Sequence, residues 1–345
     1  MANYERRRKE FFRRSRTDAL LLVSGDAARG IDSNTYYYTG LPLDRTTILV
    51  RKDGSASLLI SEMNAGYARE LSDFDIVPYA PGDYWRKLRE FLRGLKTVGV
   101  SLQDLPASFH LRLCQAARGE KLIDVSEMIM AQRAVKDSGE IAAIRKACRL
   151  ARKALAGITI KAGKTEKRLH DELNAALYGL GAEPAFRPIV LSGKYSAFPH
   201  GWSRACVVKR NDVVLVDWGA RHGSYCCDMS RCFFIGRGIG DAEKTYEKLQ
   251  DVANEIVRNL RPGRRVADIA TLAERLLRDA GLPKMPHGIG HGVGLDVHEC
   301  FSFTKTSRHI LKENMVVAIE PAVYTPKFGL RYENTILVGK RPAIL

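Results

Sequence analysis

Between residues 19 and about 131 the apolar positions fall in short runs: ALLLVSG (19–25), TTILVRKDGSASLLIS (46–61) and TVGVSL (97–102). Runs of this length bounded by turn residues read as strands, and Asp53-Gly54 folds the second run into a hairpin. WRKLREFLRGL (85–95) places Trp85, Leu88 and Leu92 at helical spacing and predicts a helix ending near Gly94. This alternation points to a mixed α/β domain over residues 1–130. The pattern then changes. Ile141, Ile144, Ala147, Ala151 and Leu155 form one apolar stripe behind a capping box at Asp137 and Glu140, which predicts a long amphipathic helix. Further helices are expected at 165–180, 241–260 and 266–280, the last two split by Arg261-Pro262-Gly263. The strand-like runs RPIVLSG, ACVVKRNDVVLVDWGA, SYCCDMSRCFFIG, MVVAIEPAVYTP and LRYENTILVG complete an α+β domain with antiparallel hairpins over residues 131–345.

Length supports two domains, since 345 residues exceed one typical domain. At 45% hydrophobic and 27% charged, the chain suits a globular protein with a sizeable core. No apolar run approaches the roughly 18 residues of a membrane-spanning helix, and the charged MANYERRRKEFFRRSR is no secretory leader. Seven scattered cysteines argue against a disulfide framework, so a cytoplasmic protein is expected. The net charge of +16 is spread along the chain, with one dense patch at Arg6–Arg16 that reads as a solvated basic helix. Without aromatic interleaving or zinc-knuckle spacing, nucleic acid is not an expected partner. GDAARG (25–30) has the wrong glycine spacing for a dinucleotide fingerprint.

Chemistry enters with the hairpins. Counting outward from a turn at His222-Gly223 brings Asp217 opposite Asp228, and counting from Pro326-Lys327 brings Glu320 opposite Glu333. Cross-strand partners lie roughly 4.5–5.5 Å apart, where like charges destabilise. Pro321 lacks an N–H and could introduce a bulge that shifts the second register. Two facing carboxylate pairs ending apolar strands suggest a divalent-metal site, and oxygen-rich ligands with an imidazole suit Mn, Co, Fe or Zn. The competing reading is a pair of surface hairpins with Arg231 or Arg331 as counter-ions.

PHGIGHGVGLDVHE (286–299) supplies the histidines. His287 and His291 have helical metal-site spacing, but the interleaved glycines oppose a helix. In an extended chain His291 and His298 fall on opposite faces unless the strand turns. These positions leave several roles open.

The residues resemble the pita-bread metallopeptidase family, which includes Xaa-Pro dipeptidase, aminopeptidase P, methionine aminopeptidase and the metal-free creatinase. The resemblance rests on VDWGA with Asp217, YCCDMSR with Asp228, SAFPHG with His200, GIGHGVGLDVHE with His291, AIEPAVY with Glu320 and LRYENT with Glu333. SNTYYYTG and RAVKDSGEIAAIRKA resemble the creatinase-type amino-terminal domain and the helix that follows it. The family implies two divalent ions activating a shared hydroxide against the peptide carbonyl. Asp217 would hold one ion, His291 and Glu320 the other, and Asp228 and Glu333 both. Glu320 would also shuttle a proton, while His200, His298 and Arg331 would meet substrate; His287 is left structural. Short proline-containing peptides and a homodimer are the implied partners.

The implied activity is cleavage of Xaa-Pro dipeptides. Longer substrates, as for aminopeptidase P, or a non-catalytic interaction role on the same scaffold remain alternatives. Three departures bear on this. Thr306, flanked by Lys305 with Arg308 close by, stands where prolidases often carry a carboxylate-binding arginine. Asn334 replaces a frequent acidic residue. Cys226 and Cys232 share the Asp228 face, where they are expected to pack as small apolar groups.

Overall fold

The computed structural model describes residues 4–25, 32–237 and 239–345, so GDAARG lies largely outside the described residues. The chain divides into two compact units, Met1–Arg133 and Ala134–Leu345.

The first unit begins with α1 (Tyr4–Arg14) and centres on a six-stranded mixed sheet. Its strands are β1 (Ala19–Val23), β2 (Thr47–Arg51), β3 (Ala56–Ser61), β4 (Asp75–Tyr79), β5 (Thr97–Val100) and β6 (Lys121–Asp124), arranged β4-β3-β2-β1-β5-β6. The β1–β2 and β2–β3 pairs are antiparallel, the latter closed by the Asp53-Gly54 turn, and the outer pairs are parallel. Helices α2 (Ser33–Thr39), α3 (Glu62–Leu71), α4 (Tyr84–Leu92), α5 (Ala107–Ala116) and α6 (Ser126–Ala134) accompany the sheet. α4 ends two residues before Gly94. The basic α1 is only partly the solvated helix expected. Arg7 and Arg8 are buried and donate to the carbonyls of Tyr37 and Tyr38 at 3.0 and 2.8 Å. Those carbonyls end α2, where unpaired acceptors and the helix dipole favour a cation.

The second unit opens with α7 (Ser138–Ala156), whose capping box is complete: the Asp137 side chain accepts from Glu140 N at 3.0 Å and Glu140 from Asp137 N at 2.9 Å. After α8 (Glu166–Gly179) come β7 (Glu183–Pro184), β8 (Ile189–Ser192), β9 (Val213–Trp218), β10 (Ala220–His222), β11 (Tyr225–Cys226) and β12 (Met229–Phe234). The strand expected from 205 onward is confined to β9. Asn211 adopts a left-handed φ of 69° and the Asp212 side chain accepts from Lys209 N, making 209–212 a turn. Next follow α9 (Gly240–Arg258), α10 (Val266–Asp279), β13 (Gly290–Gly292), β14 (Glu299–Ser302), β15 (Val316–Ile319), β16 (Ala322–Tyr324), β17 (Gly329–Arg331), β18 (Asn334–Leu337) and β19 (Ala343–Ile344).

Every strand pairing in this unit is antiparallel among the described residues, with main sheets β12-β9-β8 and β14-β13-β15-β18-β19. Leu249, Ile256, Ile269 and Leu277 of α9 and α10 bury against Val317, Ile319 and Ile336 of the sheet. The apolar ladders are thus held rigidly from one side, and their interruptions carry the polar residues. No helix among the described residues is long and apolar enough to cross a membrane.

Candidate metal centre

Breaks in two hairpins place the carboxylates. In the first, Gly223 and Ser224 take φ of 56° and 69°, forming a two-residue turn that pairs His222 with Tyr225. Asp217 therefore opposes Ser230, two residues beyond the Asp228 predicted from a turn at His222-Gly223. A shift of two preserves the alternation of faces, so Asp217 and Asp228 still point the same way. Asp228 occupies the gap between β11 and β12, where its N–H donates to Thr335 Oγ1 at 2.9 Å. The second hairpin keeps the expected register: Ile319 pairs with Asn334 and Ala322 with Arg331, so Glu320 lies across from Glu333. Pro321 causes no slip because it sits in the gap between β15 and β16, where its carbonyl accepts from Tyr332 N at 3.1 Å.

His291 is the middle residue of β13. A Cβ at Gly290 would run into the Ala318 carbonyl, and one at Gly292 into that of Glu299, so only glycine lets the strand lie this close to its neighbours. Beyond Gly292 the chain leaves the strand, and the turn brings the His298 ring centroid within 3.9 Å of that of His291. Glu299 anchors this turn: it accepts from Asp296 N at 3.3 Å and pairs with Lys136 at 2.8 Å, both side chains being 1% exposed.

Three overlapping sets of groups converge, each with ligand atoms within 4.8 Å: Asp217, Asp228 and Glu333; His291, Glu320 and Glu333; Asp228, His291 and His298. His291 Nε2 lies 3.6 Å from Asp228 and 3.9 Å from both Glu320 and Glu333. Its Nδ1 is 3.1 Å from Gly292 O; a proton donated there leaves the Nε2 lone pair facing the carboxylates. Asp217 Oδ1, Asp228 Oδ1 and Glu333 Oε1 are buried without a hydrogen-bond partner among the described residues.

Among the described residues, one arginine answers these acids. Arg331 pairs with Asp217 at 2.5 Å and donates to Ser230 Oγ and the Tyr324 hydroxyl, each at 2.9 Å. Ser230 in turn donates to Glu333 Oε2 at 2.7 Å. A single guanidinium cannot neutralise four carboxylates. Burial, then repulsion from neighbouring acids, pushes Asp228 and Glu333 well above the usual carboxylate range; burial raises Glu320 to about 7 and lowers His291 to about 3. Orphaned oxygens, like charges and a neutral imidazole make this a receptor for positive charge, and the oxygen-rich donor set fits hard or borderline divalent ions.

The carboxylates open into a cleft of about 540 Å³ whose walls include Phe186, Ile189 and Val297. His200, from the Pro199-His200 turn, and His298 line it with exposed rings. His287, expected to be structural, also lines it: Nδ1 is 3.9 Å from Glu320 and Nε2 is 2.9 Å from the Tyr324 hydroxyl. Arg331, expected to meet substrate, borders the cleft but commits its guanidinium to Asp217, Ser230 and Tyr324. The cysteines stay outside the cluster: the Cys226 thiol donates to Leu295 O, and Cys232 Sγ accepts from Arg331 N. Asn334 accepts from Arg231 at 2.7 Å.

Sequence reasoning missed Ser230, Tyr324, Thr335 and the Lys136–Glu299 pair. Ser230 and Tyr324 lie two and four residues beyond Asp228 and Glu320, so strand alternation carried a signal for both. Lys136 is 163 positions from Glu299, and only folding reveals that pair.

Buried acids, an imidazole with a free lone pair and an open cleft together define the site of a metal-dependent hydrolase. The chain belongs to metallopeptidase family M24, which matches residues 142–340, while residues 6–135 match the creatinase/prolidase N-terminal domain. It has the pita-bread fold of that family behind a creatinase-like first domain. The chain is 32% identical to a Xaa-Pro dipeptidase of Pyrococcus horikoshii over 340 residues, 96% of this chain and 93% of the relative. Among solved structures, an X-Pro aminopeptidase from Thermotoga maritima superposes with a TM-score of 0.90 at 27% identity, covering 100% of this chain and 97% of that one. The prolidase from Pyrococcus horikoshii gives 0.86 at 29%, covering 99% and 97%.

Proposed function

We propose that this protein is a Xaa-Pro dipeptidase that hydrolyses the bond between an N-terminal residue and proline with two divalent ions of Mn, Co, Fe or Zn. The observation that carries the two-metal reading is the overlap of two ligand sets through Glu333, together with three buried oxygens that lack partners. Asp217 belongs to one set, His291 and Glu320 to the other, and Asp228 reaches both Glu333 and His291. Divalent ions bound there supply an acidified water and neutralise charge developing on the carbonyl oxygen. Glu320, whose carboxylate lies in the wall of the cleft, would accept and return a proton there. His298 and His200 offer N–H groups at the cleft surface to the same developing charge. Arg331, which lines the cleft, orients Asp217 and Tyr324, and Tyr324 extends that network to His287.

Proline specificity is supported by the names of the relatives and by the creatinase-type first domain. The protein is expected to be cytoplasmic and a homodimer; light scattering on the purified protein would check the dimer.

The test uses protein stripped of metal, then reloaded with Mn or Co, on a Met-Pro dipeptide. Metal-dependent release of methionine is the expected result. A fully folded, metal-loaded protein that cleaves neither this dipeptide nor a Met-Pro-Leu tripeptide would overturn the reading. Cleavage of the tripeptide alone would replace it with an Xaa-Pro aminopeptidase.

A further inference from the structure

Glu166, the first residue of α8, is fully buried, and its carboxylate is crowded with donors. Oε1 accepts from Ser192 N at 2.8 Å, Ser192 Oγ at 2.9 Å and Arg204 Nη2 at 3.2 Å. Oε2 accepts from Arg204 N at 3.1 Å and Arg204 Nε at 3.3 Å. Ser192 ends β8, and Arg204 follows the segment 193–203 that carries His200. One buried side chain therefore ties together the two ends of that segment. The start of a helix favours a negative charge, and Arg204 supplies the counter-charge. Backbone bonds from Lys167 N to Arg204 O at 2.9 Å and from Glu166 N to Cys206 O at 3.0 Å fix the first turn of α8 against the far end of the segment.

The segment is anchored at its base and exposed at its tip. Buried Ser196 accepts from Gly329 N at 2.8 Å through Oγ and donates to Gly193 O at 2.7 Å. The Arg204 guanidinium reaches across to the Tyr195 ring, 3.4 Å from its centroid. Beyond these contacts Phe198 and Trp202 are 56% and 71% exposed on either side of His200, and Trp202 meets Arg187, which is itself exposed. A tip that buries so little of its surface inherits its placement from the base.

Resting on the role given above to His200, we propose that Glu166 is a positioning residue for the hydrolysis: by clamping Ser192 to Arg204 it holds the His200 imidazole in the wall of the cleft. Charge developing on a substrate is stabilised by a donor already in place, and a misplacement of about 1 Å can cost about 10²-fold in rate. A carboxylate suits the task because it only accepts, and so it can take five donors at once. A glutamine there would turn an NH2 group against one of them.

The experiment is a double-mutant cycle on the metal-loaded full chain: parent, Glu166→Gln, His200→Ala and the combination. The substrate is whichever of Met-Pro and Met-Pro-Leu the parent cleaves. Glu166→Gln should lower kcat by about 10²-fold, with KM near the parent's and bound metal, by elemental analysis, unchanged. In the His200→Ala protein the same change should alter kcat by no more than about twofold, because the group it positions has gone. A loosened fold would instead cost as much in both backgrounds. Should Glu166→Gln fail to fold, Arg204→Met leaves Glu166 bonded to Ser192 and to the backbone at 204, and should give a smaller loss with the same dependence on His200. Equal losses with and without His200, an unchanged kcat, or loss of bound metal would overturn the clamp and leave the Xaa-Pro reading intact. A His200→Ala protein as active as the parent would overturn the clamp and remove His200 from the chemistry. A parent that cleaves neither peptide would defeat the Xaa-Pro reading, and the clamp's role with it.

Discussion

Arg7 and Arg8 in the first unit and Asp228 and Glu333 in the second are all buried ionisable side chains. The arginines donate to the end of α2, so helix carbonyls and a cation satisfy each other. The acids face one another, keep unpartnered oxygens and have raised pKa values. Buried charge stabilises where its complement is built into the fold, and it marks a binding site where the complement must come from outside. The second unit tolerates the strain because its apolar ladders and helices hold the loop ends that carry the acids. Function here is maintained against local stability.

The largest test of this contrast is Asp228→Asn. Activity should fall by more than the about 10²–10³-fold cost of one lost oxyanion donor, and bound metal should fall with it. The metal-free protein should nevertheless melt at a higher temperature than the metal-free parent, because folding no longer has to bury a charge or take up a proton at this position. A lower melting temperature would break the comparison. Next in size is His298→Ala, expected to reduce kcat by about 10²–10³-fold while metal content, measured by elemental analysis, stays unchanged. Metal loss in that variant would move His298 from substrate contact to ligand.

A smaller, graded effect follows from protonation. Burial and mutual repulsion favour the protonated form of these carboxyl groups in the metal-free protein, and an entering ion must displace the protons they hold. Metal affinity should therefore tighten as pH rises through about 7, where Glu320 titrates, and the raised Asp228 and Glu333 add to the dependence in the same direction. His291, at about 3, is already neutral and adds no dependence in that range. Calorimetry in two buffers of different ionisation enthalpy should register proton release; none would contradict the assigned protonation. Smallest for catalysis is Arg8→Ala. It should cost about 1–3 kcal/mol of stability by leaving a buried carbonyl without its donor, with kcat of the folded enzyme unchanged. A change in kcat would mean that the first unit's buried cations also serve the chemistry.

Periodicity and turn chemistry made much of this architecture legible. The β2–β3 hairpin, the capped α7 and the register that sets Glu320 across from Glu333 all follow from local signals. The Asp217–Asp228 hairpin shows where such counting strays: Gly223-Ser224, rather than His222-Gly223, supplies the left-handed turn, although parity kept the two acids on one face. The basic α1 misled for another reason, since composition cannot show that two of its arginines reach the end of α2.

The sequence by itself determined which residues could bind a divalent ion and on which faces of their strands they lie, because alternation and turn preferences act over a few residues. Only the tertiary structure decided that His287 joins the cleft and meets Tyr324, that Lys136 steadies Glu299, and that Arg331 pairs with Asp217. It also decided that Glu166 ties Ser192 to Arg204. Those relations depend on the packing of elements distant in sequence, and on how much water that packing removes from each charge.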